Sequence, residues 1–281
     1  MTDSILITGG TGFFGQGMVK HLFEQTQSKR IIVYSRDEYK QSLMRRSDPE
    51  SRLRFFVGDV RDRERLRRAF EGVEVVIHAA ALKRIETCHY NPSEMVKTNI
   101  LGSLNVIEAA QDAGVKKVIA LSTDKSYQPV SAYGYSKALM ESIFLSANNA
   151  RGAHGPIYSV TRYGNVSGST GSIIPKWRDL IVAGAKSVPV TDPDCTRFWM
   201  TQQEAVYLVL DTMGTMKGGE LNVPILPAYR IGDLAEAMGV GMEITGLPEF
   251  EKKHEGMADG NTSDKARMMS VEELRNALKQ I

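Results

Sequence analysis

The stretch SILITGGTGFFG, residues 4–15, decides the fold of this 281-residue chain. A continuous apolar run predicts a β-strand over Ser4–Thr8, and apolar residues then recur at helical spacing at Phe14, Met18 and Leu22. Glycines between this strand and the helix let the backbone turn with positive φ and approach a pyrophosphate closely. The helix directs its first N–H groups towards that pyrophosphate. The stretch therefore predicts a dinucleotide site. Its expected contacts are Gly9, Thr11, Gly12, Phe13, Phe14 and Gly15.

Short apolar strands and helical segments alternate outward from this stretch as far as residue 162, and one long helix is expected from about Pro92 to Ala113. Nearly unbroken apolar strands are typical of a parallel sheet that is covered on both faces. The sequence therefore predicts an α/β fold with a doubly wound parallel sheet, in which residues 1–162 form a Rossmann nucleotide-binding domain. The further predicted strands are Arg30–Ser35, Leu53–Val57, Val75–His78, Val118–Ser122 and Tyr158–Arg162.

The alternation stops after residue 162. Residues 163–200 are rich in Gly, Ser, Pro and Thr, which predicts loops and short elements. Further elements are expected as helices at Thr201–Met213, Ile231–Met238 and Ser270–Gln280 and a strand at Glu220–Val223. We therefore expect residues 163–281 to form a small C-terminal substrate lobe that packs against the first domain as one compact unit.

Composition argues against several classes of protein. Lysine and arginine total 35 and aspartate and glutamate total 33, so no charge excess indicates binding to nucleic acid. No apolar run approaches the roughly 18 to 20 residues that span a bilayer, and no apolar leader precedes the first strand. The two cysteines, Cys88 and Cys195, have no partner at metal-ligand spacing. We expect a cytoplasmic protein without a metal, and neither nucleic acid nor a membrane as its partner.

The end of the second predicted strand bears on the choice of dinucleotide. An enzyme that uses NAD usually places an acid there to hold the ribose hydroxyls. Here Ser35 and Arg36 come first, and a hydroxyl with a guanidinium suits a 2′-phosphate, to which Lys40 adds a third contact. The pattern favours NADP, and the alternative is that Asp37 binds the ribose of NAD.

The end of the third predicted strand carries Gly58-Asp59-Val60. Because the carboxyl ends of parallel strands meet at one edge of a sheet, Asp59 and Val60 are placed to meet the adenine ring. The alternative for Asp59 is a helix cap before Arg61.

Among ten tyrosines, only Tyr133 has a lysine four residues later, Lys137. Residues at this spacing share one face of a helix, and a nearby ammonium favours the phenolate form. Tyr133 is therefore a candidate base for a sugar hydroxyl. The pair follows the fifth predicted strand, whose end carries Ser122-Thr123-Asp124-Lys125. Ligands bind at the carboxyl ends of such strands, so these side chains are expected to converge on one crevice.

An adjacent acid and base go beyond what hydride transfer requires, and Asp124 with Lys125 suggests an elimination. In the expected cycle, Tyr133 deprotonates a 4-hydroxyl while hydride leaves carbon 4. Lys125 then removes the proton on carbon 5, Asp124 protonates the departing 6-hydroxyl, and hydride returns to carbon 6. The alternative is an exposed loop pair without chemistry.

Seven further segments follow in order: IVYSRD at 32–37, FVGDVRD at 56–62, HAAALK at 78–83, LSTDK at 121–125, YGYSK at 133–137, RYGNV at 162–166 and TRFWMT at 196–201. With the opening stretch, this set resembles the extended short-chain dehydrogenase/reductases, and among them the inverting UDP-N-acetylglucosamine 4,6-dehydratases of the pseudaminic-acid type. The resemblance implies catalytic residues Thr123, Asp124, Lys125, Tyr133 and Lys137, cofactor contacts that include Tyr133, Lys137, Ala79, Ala80 and Ala81, and substrate contacts from Lys83, Asn165, Arg197 and Glu251.

The resemblance also implies individual roles. Thr123 would hydrogen-bond the 4-hydroxyl, and Arg197 would pair with the UDP diphosphate, a task that suits its forked guanidinium. The alternative for Arg197 is a surface salt bridge. The segment before His254-Glu255 departs from the family pattern, since Pro248 and Phe250 stand where the family has arginine and glycine. A diphosphate contact is therefore expected to be lost.

The predicted function is that of an NADP-dependent lyase, a 4,6-dehydratase acting on UDP-N-acetylglucosamine or a related nucleotide sugar. The nearest alternative is a nucleotide-sugar 4-epimerase. An alternative of another class is a regulatory protein that senses NADP and has lost the chemistry. The resemblance further implies a homo-oligomer, a dimer or larger, formed through helices such as 92–113.

Overall fold

The computed structural model describes residues 2–46 and 52–281. Its main sheet is built from β1 Ser4–Thr8, β2 Arg30–Ser35, β3 Leu53–Val57, β4 Val75–His78, β5 Lys117–Leu121, β6 Ile157–Thr161 and β9 Leu221–Asn222. These strands are all parallel and have the order β3-β2-β1-β4-β5-β6-β9. The order reverses beside β1, as in a doubly wound fold, so the predicted fold class is confirmed. The first four strands have the predicted bounds, and β5 and β6 begin and end one residue earlier.

Helices cover both faces of this sheet. They are α1 Phe13–Gln25, α2 Glu38–Arg45, α3 Arg63–Phe70, α4 Ile85–Tyr90, α5 Pro92–Met95, α6 Gly102–Asp112, α7 Ala132–Ala150, α8 Ile173–Val182, α9 Gln202–Thr215, α10 Ile231–Ala237 and α11 Val271–Leu278. Successive side chains of a strand point to opposite faces. Ile5 and Ile7 of β1 therefore pack with α1 and α9, whereas Leu6 packs with α3, α6 and α7. Two buried faces explain why the strands are apolar throughout.

The helix predicted from about Pro92 to Ala113 contains an irregular turn. α5 is followed by a π-helical segment, Val96–Leu101, before α6 begins. The side chain of Asn99 in this segment is buried; its amide donates a hydrogen bond to Leu82 O at 2.9 Å, and its oxygen accepts one from Leu82 N at 2.8 Å. A π-helical turn is frequent near functional sites. Here it fixes the loop that follows β4.

Residues after 162 contribute to the main sheet as well as to a second core. β9 joins the sheet and α9 covers it, while Trp177, Trp199 and Tyr229 centre a separate apolar cluster. Two strand pairs border this cluster: β7 Ser187–Val190 with β11 Gly241–Ile244, and β8 Thr196–Phe198 with β10 Ala228–Arg230. A third pair, β12 Gly256–Ala258 with β13 Asn261–Thr262, places Met257 in the core of the main sheet. Across the described residues, none of the helices combines the length and apolar character needed to cross a membrane.

One regular helix lies where only loops and short elements were predicted. α8 has ten residues and buries Ile174 and Trp177. Pro175 is its third residue, and proline is tolerated in the first turn, where its missing N–H has no intrahelical partner. The Gly- and Ser-rich flanks and this proline resemble a loop in the sequence, which is why the helix was missed.

Candidate active site

The glycine turn after β1, residues 9–15, forms a cradle in which neither Gly9 nor Gly15 has room for a side chain. Gly9 has φ of +69°, and a Cβ placed on it would lie 2.9 Å from the Cα of Ala80. A Cβ on Gly15 would lie 2.5 Å from the Cα of Gly10. Gly12 is the N-cap of α1, and among the described residues no side chain caps this helix. Uncapped N–H groups beside a close backbone approach fit a dinucleotide pyrophosphate.

The loop after β4 lies against this cradle. Ala80 N donates a hydrogen bond to Thr8 Oγ1 at 3.3 Å, and the same oxygen lies 2.8 Å from His78 Nδ1. Burial, with a smaller effect from Lys137, lowers the pKa of His78 to about 3, so this imidazole is neutral and structural. The structure thus brings Ala79 and Ala80 beside Gly9, in the site that the resemblance implied for them.

The end of β2 carries two exposed cations, Arg36 and Lys40, and an aspartate, Asp37, that already makes hydrogen bonds within the chain. Asp37 caps α2 by accepting a hydrogen bond from Lys40 N at 3.0 Å, and its other oxygen lies 3.4 Å from Lys40 Nζ. The backbone hydrogen bond is the main reason why the pKa of Asp37 is lowered. Ser35 Oγ accepts from Gln41 Nε2 at 2.9 Å. The side chain of Arg36 is 59% exposed, with Nη1 3.7 Å from Asp59 Oδ2.

Asp59 and Val60 lie at the end of β3 beside this corner. Asp59 Oδ1 accepts a hydrogen bond from Arg61 N at 3.0 Å, which closes a local turn. The cap of α3 is Asp62, whose Oδ1 accepts from Arg65 N at 2.9 Å. Val60 is buried against Gly102. Its backbone, rather than its side chain, is therefore what it can offer to a ligand.

The end of β5 turns into a single 3₁₀ turn, Asp124–Ser126, that carries the candidate acid and base. Asp124 is fully buried, and its Oδ1 accepts hydrogen bonds from Thr123 Oγ1 at 2.9 Å and Lys125 Nζ at 3.1 Å. Its Oδ2 has no hydrogen-bond partner within the described residues. Burial raises the pKa of Asp124, which Lys125 opposes and Glu255 reinforces. Asp124 is therefore suited to hold a proton.

Lys125 is held by three acceptors. Its Nζ donates to Asp124 Oδ1 and to Asn165 Oδ1, each at 3.1 Å, and lies 3.4 Å from Glu255 Oε1. Burial by itself would lower the pKa of Lys125, but the two carboxylates outweigh it and raise the pKa. Lys125 is therefore an ammonium in this arrangement and must release a proton before it can act as a base.

Tyr133 and Lys137 lie on the first turns of α7, which Ser131 caps through Gly134 N at 3.1 Å. Burial raises the pKa of Tyr133 to about 12, while Lys125 and a hydrogen bond with Thr123 act to lower it. Burial likewise lowers the pKa of Lys137 to about 8, and its Nζ donates to Leu121 O at 2.5 Å. The ammonium that favours the phenolate is thus Lys125, whereas the sequence pointed to Lys137.

Arg197 is buried and already paired. Its Nη2 lies 2.5 Å from Glu251 Oε1, and its Nη1 donates to Thr196 O at 2.8 Å and Lys253 O at 3.1 Å. The alternative of a surface salt bridge is wrong, because only 5% of this side chain is exposed. The structure brings the predicted substrate residues Arg197 and Glu251 together. A diphosphate would have to replace the carboxylate of Glu251 at the guanidinium.

A narrow cleft lies over the catalytic turn. It is lined by Ile85, Lys125, Val130, Ser131, Phe250, Glu251, Lys252 and Glu255. Its volume is about 10 Å³, which is about the room that one water molecule needs. The rings of His89 and Phe250 lie 5.1 Å apart and join α4 to the segment 246–255. In this arrangement the cleft is too small to hold a sugar.

Two residues were missed or only partly placed by sequence reasoning. Glu255 was noted as part of a family pair, but its contact with Lys125 across 130 residues of chain left no local signal. Lys83, a predicted substrate residue, follows β4 on the loop that leads to α4. Desolvation and the neighbouring Arg84 lower its pKa.

Comparisons with known proteins agree with this geometry. The model of the family described as "Polysaccharide biosynthesis protein" matches residues 5–276. A Campylobacter jejuni protein named UDP-N-acetylglucosamine 4,6-dehydratase (inverting) is 47% identical over 262 residues, which cover 92% of this chain and 78% of that protein. A Rickettsia typhi protein named UDP-glucose 4-epimerase is 39% identical over 272 residues, covering 94% and 80%.

Solved structures show the same architecture. Pen from Bacillus thuringiensis is 32% identical with a TM-score of 0.93, and 100% of both chains is covered. DesIV, a dTDP-glucose 4,6-dehydratase from Streptomyces venezuelae solved with NAD and TYD, has a TM-score of 0.83 over 98% of this chain and 96% of that one. At 20% identity, DesIV supports the fold alone. The chain therefore belongs to the polysaccharide biosynthesis protein family, and its resemblance to the inverting UDP-N-acetylglucosamine 4,6-dehydratases is confirmed.

Proposed function

We propose that this chain is a lyase that removes water from UDP-N-acetylglucosamine and leaves a 4-keto-6-deoxy sugar nucleotide. The observation that carries the proposal is the buried turn in which Asp124, beside Lys125, keeps one carboxylate oxygen unpaired within the described residues. Thr123 and Tyr133 adjoin the same turn. A 4-epimerase needs the hydroxyl, the phenol and a cofactor, but has no use for an adjacent acid and base.

We propose NADP as the cofactor, held by the glycine cradle and by Arg36, Lys40 and Ser35 at the end of β2. The use of the Asp37 carboxylate as a helix cap supports this choice, because it removes the acid that would bind the ribose of NAD. Bound there, the cofactor would supply a hydride acceptor for carbon 4 and a hydride donor for carbon 6.

The residues of the chain would then carry out four proton transfers. Tyr133, once it is a phenolate, accepts the proton of the 4-hydroxyl while Thr123 hydrogen-bonds the same oxygen. The resulting ketone acidifies the proton on carbon 5. Lys125, once neutral, accepts that proton, and Asp124 donates its own to the 6-oxygen. The C6–O bond breaks, a C5–C6 double bond forms, and one water leaves. Hydride then returns to carbon 6 while carbon 5 takes up a proton, for which the Lys125 ammonium and the Tyr133 phenol are the available donors.

The function is tested by incubating the purified protein and NADP with UDP-N-acetylglucosamine. Mass spectrometry should show a product lighter by one water, without net accumulation of reduced cofactor. A 4-epimer of unchanged mass would contradict dehydration and favour the epimerase. Tight NADP binding without turnover of any UDP-sugar would instead favour the regulatory protein.

The Arg36→Ala variant tests the cofactor assignment. Loss of a charged hydrogen bond of about 1.5–3 kcal/mol should weaken NADP roughly 10- to 150-fold and leave NAD nearly unchanged. Isothermal titration calorimetry with both dinucleotides measures the difference. Lys29→Ala, which removes an exposed cation just before β2, serves as the control. Equal losses for the two dinucleotides would reject contact with a 2′-phosphate.

We also propose a homo-oligomer formed through α6 and α7. These helices pack together and leave Leu101, Leu104, Tyr135 and Leu139 exposed beside or on them. A symmetric contact would cover this apolar surface on both copies. Sedimentation should show a dimer or larger, and the pair Leu104→Glu and Leu139→Glu should shift it to monomer, whereas Val182→Glu on α8 should not. A monomeric unaltered protein would contradict the proposal.

A further inference from the structure

Glu255 is fixed beside the catalytic turn by a buried network. Its backbone N–H donates to Ser263 Oγ at 2.9 Å, and Ser263 N–H donates to Glu255 O at 2.8 Å. Ser263 Oγ lies 2.6 Å from Thr196 Oγ1 on β8. Only 2% of the Glu255 residue is exposed. Its carboxylate therefore has little freedom to leave the site.

This carboxylate contacts two ammonium groups. Its Oε1 lies 3.4 Å from Lys125 Nζ, and its Oε2 lies 2.9 Å from Lys252 Nζ. Lys252 Nζ also donates to Tyr127 O at 2.9 Å, which holds it in place. A buried charge is tolerated only when it is paired. Burial would raise the pKa of Glu255, but Lys125, Arg197 and Lys252 lower it to about 2, so Glu255 is ionised.

Lys125 thus lies between two carboxylates and needs only one of them as a counter-ion. Ionised Asp124 would leave its buried Oδ2 as an uncompensated partial charge, because the described residues give this atom no donor. Glu255 Oε2 likewise makes no hydrogen bond within the described residues. It lies 2.9 Å from Lys252 Nζ, however, and Oε1 lies 3.4 Å from Lys125 Nζ, so each oxygen of Glu255 has a cation beside it. The geometry therefore assigns the negative charge to Glu255 and the proton to Asp124.

We propose that Glu255 is a positioning residue that acts as the counter-ion of Lys125, so that Asp124 keeps the proton it delivers to the leaving oxygen. The inference rests on the proposed dehydration for the use of this proton.

The titratable and charged groups that face Asp124 and Glu255 come from five elements of the fold. They are Lys125 on the catalytic turn, Tyr133 on α7, Arg197 on β8, Tyr229 on β10 and Lys252 in the segment 246–255. Glu255 is the anion among the groups that act on Asp124, and it raises the pKa of that carboxyl group. Removing its charge should therefore release the proton of Asp124.

Carbon-13 NMR of protein labelled at the aspartate carboxyl carbons tests this directly, without substrate or cofactor. The signal missing in Asp124→Asn identifies Asp124, which should be protonated at neutral pH in the unaltered chain. In Glu255→Gln the pKa of Asp124 should be lower by about one to three pH units. Glu249→Gln, an exposed residue of the same segment, is the control. An unchanged titration in Glu255→Gln would overturn the proposal.

If the glutamine variant does not fold, Glu255→Asp tests the same contact. Aspartate keeps the negative charge, but its shorter side chain moves this charge away from Lys125. It should shift the titration of Asp124 in the same direction by less, and no shift would again refute the proposal. In turnover, Glu255→Gln should slow water release more than oxidation at carbon 4, and its loss of activity should begin at lower pH. If the unaltered protein dehydrates no UDP-sugar, the proposed function fails, yet the NMR titration still decides the role of Glu255.

Discussion

A Lys125→Ala variant is expected to oxidise its substrate at carbon 4 but to lose water release by roughly 10²- to 10⁴-fold, the usual contribution of a positioned acid or base. Oxidation depends on Tyr133 and Thr123, which stay in place on α7 and at the end of β5. It should slow as well, because the Lys125 ammonium lowers the pKa of Tyr133, but by less than water release. Elimination depends on a group that can take the proton of carbon 5. Lys125 Nζ is held 3.1 Å from Asp124 Oδ1 and 3.1 Å from Asn165 Oδ1, so its amine lies directly beside the acid.

Rapid-quench mass spectrometry separates the two steps. The variant should accumulate a 4-keto sugar of undiminished oxygen content together with reduced cofactor, and carbon 5 should exchange little deuterium from heavy water. Lys253→Ala provides the control, because this lysine pairs with Asp192 at 3.1 Å, outside the catalytic network. Water release by Lys125→Ala at the normal rate would remove Lys125 from the mechanism.

The Glu141→Ala variant is expected to lose about 3–5 kcal/mol of unfolding free energy, because the buried guanidinium of Arg162 would be left without its carboxylate partner. Arg162 Nε donates to Glu141 Oε1 at 2.9 Å, and Arg162 Nη2 lies 2.5 Å from Glu141 Oε2. Arg162 also donates to Met257 O at 2.6 Å, while Ser126 Oγ donates to Glu141 Oε1 at 2.6 Å. The ion pair therefore ties the catalytic turn, α7, β6 and β12 together.

Urea unfolding followed by circular dichroism measures this loss. Replacing both partners, as in Glu141→Leu with Arg162→Met, should recover most of the stability, because no unpaired charge remains buried. Exposed Glu108→Ala on α6 should change the unfolding free energy by no more than about 0.5 kcal/mol. A small loss in Glu141→Ala itself would show that water reaches Arg162.

Much of the fold could be predicted because its signals are local. Four strands matched residue for residue, since mainly apolar runs of four to six residues between turns and helical segments leave little choice of bounds. The catalytic turn could also be predicted, because strand ends of a parallel sheet share one edge. Thr123, Asp124 and Lys125 were thereby placed near Tyr133, as the structure has them.

The remainder depends on packing between distant segments. The pairing of Glu255 with Lys125, and of Glu251 with Arg197, joins residues that are 130 and 54 positions apart. The π-helical turn at Val96–Leu101 keeps an ordinary helical pattern in sequence, because only one turn of the backbone is widened. The ammonium group of Lys137 was expected beside the phenol of Tyr133, but it donates a hydrogen bond to Leu121 O instead.

The closed cleft over Lys125 has a consequence for the fidelity of turnover. In the proposed cycle the cofactor takes a hydride from the substrate and must return it to the same molecule. If the oxidised intermediate dissociates first, the cofactor stays reduced and the enzyme cannot start another cycle. Because His89 packs on Phe250 and the cleft has room for about one water molecule, we expect the closed walls to retain the intermediate until hydride has returned to it. Opening them is then the step that ends each cycle.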